Sequence, residues 1–261
     1  MKVAAKKIAI INQKGGVGKT TVAFELSSIL TALKCRVLMV DMDPQCNLSS
    51  LMGAKLNGYS VLDALLGNVE SKYIIQKCQY GDVIISNGNL ASYEKRFTGE
   101  KSEYRFKQIL EPLQDNYDYI IVDSPPALGV LTVGILTACD GFVIPATADL
   151  FSAQGIEQIY STYEAVKAYT NPNLQIYGVL LSRYNFEFDK SVFKIVADMC
   201  KKCNIELFPT VITESVQVRQ SLIYSKSLME FAPKSDVMMN YLTFTKYLIK
   251  KVNGGAMNEW V

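Results

Sequence analysis

The sequence predicts an α/β fold: a mostly parallel, doubly wound sheet with helices on both faces. Three observations carry that reading. Short, near-continuous apolar runs recur along the chain, helical periodicities separate them, and several runs end in acidic or glycine-rich turns. Strands buried on both faces read as such runs, whereas half-exposed strands alternate. The 261 residues are 49% hydrophobic and 20% charged, enough apolar surface for one large core.

Lys7–Asn12 opens the series as a strand. Val22, Leu26, Ile29, Leu30 and Leu33 follow at helical spacing. RVLMVDMD (36–43) is a second buried strand ending in acid, and GDVIISN (81–87) is another. Residues 103–113 carry a helical pattern, and YDYIIVDSPP (117–126) is a strand stopped by two prolines. DGFVIPAT (140–147) and LQIYGVLLSRYN (174–185) are further strands, with a helix over 153–169 between them. Val192, Ile195, Val196, Met199 and Cys203 form one late stripe, and Val237, Tyr241, Phe244, Leu248 and Val252 the last. Residues 53–89 are the least regular. No linker or repeat divides the chain, so residues 1–252 are expected to form one domain and 253–261 a flexible tail.

Composition removes several classes of function. A net charge of +2 argues neither for nor against nucleic acid, so any basic face must be local. There is no histidine, which excludes imidazole bases. Cys200 and Cys203 are the only close cysteine pair, and zinc would want a second pair; burial of Cys203 on a helix stripe is the simpler reading. No apolar run approaches the roughly 20 residues of a membrane span, and the start lacks the pattern of a signal peptide. A cytoplasmic location is expected.

The chemistry-bearing stretch is IAIINQKGGVGKTT, residues 8–21. A strand, a glycine-rich turn and a helix beginning at Lys19 form a phosphate-binding unit. Gly15, Gly16 and Gly18 allow a tight turn that points N–H groups at phosphate oxygens. Lys19 would offset the β/γ-phosphate charge, and the Thr20 hydroxyl would bind magnesium. The usual pattern wants glycine six residues before that lysine, yet Gln13 stands there and a second lysine, Lys14, follows it. Magnesium also wants acids at neighbouring strand ends. Asp41 and Asp43 supply two, with the turn at Pro44 redirecting the second. Asp123 supplies another, suited to hold a magnesium-bound water, while Asp43 suits orientation of the attacking water. Capping of the next helix is the plain alternative for such a strand-end acid.

KGGVGKTT (14–21), VDMDPQ (40–45) and VDSPPALG (122–129) together resemble the deviant Walker A, A′ and B motifs of the ParA/MinD group of P-loop ATPases. The similarity runs on through DGFVIPATADLFSAQGI and FAPKSD and covers nearly the whole chain, with the short Soj-like ParA proteins as the nearest pattern. It implies ATP and Mg2+ as cofactors, with Lys14, Gly15, Gly16, Val17, Gly18, Lys19, Thr20, Thr21, Asp41 and Asp123 around the nucleotide. It implies catalytic roles for Lys14, Lys19 and Asp43, and metal contacts from Thr20 and, through water, Asp123. Lys14 matches the signature lysine that reaches across a two-fold interface to the partner's ATP; a solvated loop lysine is the alternative. ATP would then favour a homodimer and ADP the monomer. Neither switch stretch supplies an arginine finger, so slow intrinsic hydrolysis is expected, accelerated by a ParB-like centromere-binding partner.

The resemblance also implies nonspecific double-stranded DNA binding by the ATP dimer, and so a nucleoid-associated location. Candidates are Lys190, Lys194, Lys201 and Lys202 on one helix, with Arg219 and Lys226. A lysine-rich helix face is also commonly just solvated. Relatives contact adenine from a stretch resembling IPRNVRLSEA; here it reads ITESVQVRQSL, which leaves Thr213 and Ser215 as base contacts. The alternative function is a MinD-like positioning ATPase on a membrane, with FTKYLIKKV or Trp260 as anchor; burial of the former's stripe in the last helix is favoured. A redox protein resembling the nitrogenase iron protein would need a second cysteine to match Cys139. A nucleotide switch without hydrolysis also stays open.

Overall fold

The computed structural model describes residues 4–96 and 102–255. Residues 256–261 of the expected tail, Trp260 among them, lie outside the described residues. In chain order the elements are β1 (Lys6–Ile10), α1 (Lys19–Ala32), β2 (Val37–Asp41), α2 (Asn47–Leu51), α3 (Val61–Leu65), β3 (Ile75–Cys78), β4 (Gly81–Ile84), α4 (Leu90–Arg96) and α5 (Arg105–Leu110). There follow β5 (Tyr119–Asp123), α6 (Val130–Ala138), β6 (Gly141–Ala146), α7 (Leu150–Tyr169), β7 (Gln175–Leu181), α8 (Lys190–Lys202), α9 (Val216–Ile223), α10 (Leu228–Phe231) and α11 (Asp236–Val252).

The strands form one seven-stranded sheet in the order β3-β4-β2-β5-β1-β6-β7. Every pairing is parallel except β3 with β4. The period-2 rule sorts the apolar runs onto two faces. Ile8, Ile10, Val37, Met39 and Ile121 face the core under α1 and α11. Ala9, Leu38, Val40, Ile120 and Val122 face the one under α5, α6, α7 and α8. This is the doubly wound arrangement the sequence predicts. The chain leaves β1 in one direction through α1 and β2, and leaves β5 in the other through α6 and β6. The crevice where such a sheet reverses, at the carboxyl ends of its strands, is where ligands bind.

Two helices show why the layers hold. In α11, Ser235 caps the first turn by accepting the Met238 N–H at 3.3 Å, and Tyr241, Phe244, Leu248 and Val252 lie on the buried side. Phe244 meets Phe208 edge to face at 5.0 Å. Truncating a ring buried this way costs about 3–5 kcal/mol. The FTKYLIKKV stripe is therefore core, as expected. Cys203, at the C-cap of α8, is buried as expected, Cys200 on the same helix is buried as well, and all six cysteines are free. Among the described residues no helix is long and apolar enough to cross a membrane.

Candidate functional site

At the end of β1 the chain turns through residues 12–18. Asn12 braces the turn: its Oδ1 accepts the Lys14 N–H at 2.9 Å, and its Nδ2 donates to the Pro145 carbonyl at 2.7 Å. Gly16 and Gly18 sit at φ +77° and +90°, a region that disfavours any side chain. Gly18 is the N-cap of α1 and brings no capping side chain. Its carbonyl accepts the Val22 N–H at 2.8 Å, so the N–H groups of the first turn, at Lys19, Thr20 and Thr21, are left for a ligand. They open, at the positive end of a 14-residue helix, into a cleft of about 500 Å³.

Gly15, Gly16, Gly18, Lys19, Thr20 and Thr21 line that cleft on one side. Asp43, Thr213, Ser215 and Arg219 line it as well. Val17 does not; its side chain is fully buried and anchors the loop. The Lys19 amine is buried, which lowers its pKa, against the opposing pull of Asp123 and Asp43. It donates to the Lys14 carbonyl at 3.2 Å.

The three acids have different fates. Asp41 and Asp123 are opposite each other in the β2–β5 register and both are fully buried. Asp41 is satisfied: it accepts the Ser49 N–H at 2.8 Å, the Ser49 hydroxyl at 2.7 Å and the Asp43 N–H at 3.0 Å. Burial still pushes its pKa up to about 6. It does not line the cleft; it holds the turn that presents Asp43. Asp43 in turn accepts the Gln45 N–H at 3.0 Å, which fixes its carboxylate at the cleft wall. Asp123 is the unsatisfied member. The Thr20 hydroxyl is near enough to favour its charged form, but neither oxygen closes a hydrogen bond of normal geometry. Burial first, and Asp41 second, push its pKa well above the usual carboxylate range, while Thr20 and Lys19 pull it down. A buried carboxylate without partners beside a threonine hydroxyl fits a divalent cation or its water. Among the described residues no three acidic or thiol side chains form a metal cluster.

Lys14 turns away from this cleft into an adjoining one lined by Thr147, Asp149 and Arg183. Its amine pairs with Asp149 and lies 3.2 Å from the Thr147 hydroxyl. Asp149 also caps α7 by accepting the Ser152 N–H at 2.9 Å.

The basic residues do not gather on one layer. Lys190, Lys194, Lys201 and Lys202 are exposed on α8, which covers one face of the sheet. Arg219, on α9, and Lys226, just beyond it, belong to the other face, and Arg219 lines the cleft. Lys202 is paired with Glu157 at 2.6 Å and Lys226 with Glu230 at 2.6 Å. Sequence reasoning missed Asp149, Ser182 and Arg183. The last two are adjacent at the end of a core strand, in SRYN, and that strand-end position was the only signal available.

Comparison with known proteins places these features in a family. The family described as AAA domain matches residues 5–176. The sporulation initiation inhibitor protein Soj of Bacillus subtilis (strain 168) is 35% identical over 246 residues, covering 92% of this chain and 97% of Soj. The chromosome partitioning protein ParA of Myxococcus xanthus (strain DK1622) is 31% identical, covering 94% of this chain and 88% of ParA. A solved structure of cobyrinic acid a,c-diamide synthase from Mycobacterium smegmatis, with bound ATP analog and magnesium, superposes with a TM-score of 0.83 at 28% identity over 97% of both chains.

Proposed function

Because this chain belongs to the ParA/MinD family of P-loop ATPases, with Soj-like partition proteins among its relatives, we propose that it is a partition ATPase whose ATP-bound dimer holds nonspecific DNA. The observation that carries this reading is the uncapped start of α1, with buried Lys19 above unsatisfied Asp123. The triphosphate lies against the free N–H groups of Lys19, Thr20 and Thr21, and the Lys19 amine offsets its charge. Thr20, and Asp123 through a water, would hold Mg2+, which when bound neutralises charge on the β- and γ-phosphate oxygens. Asp43, held by the Gln45 N–H, orients the attacking water, and the products are ADP and phosphate. The base sits against Thr213 and Ser215, the latter fixed as the N-cap of α9 by the Gln217 N–H at 3.1 Å.

Lys14 then leaves Asp149 and meets the triphosphate of a second copy. A lysine is free to do so because its cis partner is a half-exposed ion pair, not a buried one. This makes ATP the condition for dimerisation, and slow hydrolysis sets the lifetime of the dimer. A ParB-like partner shortens it. Both cores share one sheet, which supports residues 1–252 acting as one ATPase domain. Burial of the α11 stripe argues against a MinD-like membrane anchor in that helix.

Retention of duplex DNA with ATP, with ADP and without nucleotide tests the proposal, with lipid vesicles in parallel. Retention with ATP alone, falling steeply with salt, is expected. Equal retention with ADP would remove the switch, and ATP-dependent binding to vesicles instead would favour the membrane reading.

A further inference from the structure

Two consecutive residues at the end of β7 grip two consecutive carbonyls of the phosphate loop. The Ser182 hydroxyl, on a buried residue, donates to the Val17 carbonyl. The Arg183 guanidinium donates to the Gly16 carbonyl at 3.2 Å. A trans peptide is planar, with its C=O and the following N–H pointing in opposite directions. Pulling the Gly16 and Val17 carbonyls toward β7 therefore turns the Val17 and Gly18 N–H groups the other way. Those two donors precede the free N–H groups of Lys19, Thr20 and Thr21.

Arg183 is itself held. Its Nε donates to Glu214 at 2.8 Å, between Thr213 and Ser215 of the base-side loop. The two segments are laced further by the Tyr184 N–H to the Ile212 carbonyl at 2.9 Å and the Glu214 N–H to the Tyr184 carbonyl at 3.1 Å. Arg183 adopts φ +56°, an uncommon conformation for a residue with a side chain. Its side chain is 58% exposed, so burial does not impose that conformation. Backbone hydrogen bonds on either side of it, from the Ser182 N–H to the Ala146 carbonyl at 2.8 Å and from the Tyr184 N–H to the Ile212 carbonyl at 2.9 Å, fix the turn there.

From this the geometry points to Ser182 and Arg183 as positioning residues that pre-orient the phosphate-loop amides for the β-phosphate, with Glu214 setting the arginine. Both also line the cleft, as does Glu214, and the role assigned to them here is exerted through the two loop carbonyls. The inference rests on the cleft being an ATP site, as proposed above.

Titration calorimetry with ADP and with AMP, both with magnesium, tests it on wild type, Ser182→Ala, Arg183→Ala, Arg183→Lys and Glu214→Gln. ADP has the β-phosphate and AMP lacks it. Losing the aim of an amide that donates to a charged oxygen is expected to weaken ADP about tenfold in Ser182→Ala and Arg183→Ala, with AMP affinity unchanged. Arg183→Lys regains part of the loss, because an ammonium can reach one acceptor but cannot fork to two. Glu214→Gln gives a smaller loss of the same kind. Thermal melting of each variant separates misfolding from misaiming, and Ser182→Ala, which removes one atom, stands in if an arginine variant does not fold. Unchanged ADP affinity in folded variants, or equal losses for ADP and AMP, would overturn the clamp and leave the ATP site standing. Wild type that binds no ADP would overturn both.

Discussion

Replacing Asp149 by asparagine should tighten the ATP-dependent dimer. In the proposed dimer Lys14 must leave Asp149 to serve a second copy, and the cost of leaving is set by the pair seen in the structure. The Lys14 and Asp149 side chains are 34% and 32% exposed, so solvent screens them heavily. Thr147 adds a bond of 3.2 Å to the amine and one of 2.6 Å to the carboxylate, which places the pair at the upper end for a surface ion pair. That is about 0.5–1 kcal/mol per subunit. Two subunits give about 1–2 kcal/mol, a factor of about 5–30 in the dimerisation constant. Asparagine keeps an acceptor for the Ser152 N–H, so the cap on α7 survives. Sedimentation equilibrium with a non-hydrolysable ATP analogue measures the constant, at low and high salt. The gain should shrink at high salt, where the wild-type pair is already weakened. An unchanged dimer at low salt would mean that the Lys14–Asp149 pair does not oppose assembly, and a weaker one that Asp149 serves the interface itself.

Three further outcomes are expected. Asp43→Ala should lower phosphate release by about tenfold or more while ATP affinity stays within about threefold; unchanged release would remove Asp43 from the hydrolytic step, and no release from wild type would return the protein to a switch that does not hydrolyse. Glu25, fully buried on α1, accepts the Leu228 N–H at 3.1 Å, and burial pushes its pKa from 4.5 up to about 8. The folded state thus holds a proton that the unfolded chain releases, so its stabilising effect is complete below about 4.5 and is lost as pH rises through about 8. Glu25→Gln should flatten that loss and raise stability at pH 8 by an amount on the order of a few kcal/mol; parallel melting curves against pH for the two proteins would contradict it. Replacing Lys201 and Lys202 together by alanine should reduce the salt slope of DNA binding by up to about two units per subunit, or about four for the dimer; an unaltered slope would remove α8 from the DNA-binding surface.

The conformation of the loop after β1 was legible because a short contiguous motif carries it: the strand, the glycines that reach positive φ, and the helix that opens at Lys19. The strands were legible where both faces are buried, as in YIIVD and VLMVD. The sequence missed β3, a short edge strand whose residues are half-exposed or exposed, because its polar, lysine-bearing pattern suits an edge and not a core. It missed α6, whose residues are mostly buried, because a helix apolar all round leaves no stripe to count. Glu25 lies among Val22, Leu26 and Ile29 with nothing local to mark it as buried. Ser182, Arg183 and Asp149 meet the phosphate loop only through tertiary structure, from more than a hundred residues away in the chain. The lysines of α8 looked contiguous with Arg219 in sequence, yet the sheet lies between their helices.

Light scattering of wild type and Lys14→Ala with a non-hydrolysable ATP analogue and with ADP shows whether one subunit's Lys14 answers its twin's triphosphate. Wild type should double in mass with the analogue alone, and Lys14→Ala should bind the analogue yet keep the mass of one chain. A variant that dimerises as well as wild type, or a wild type whose mass ignores the nucleotide, would contradict it.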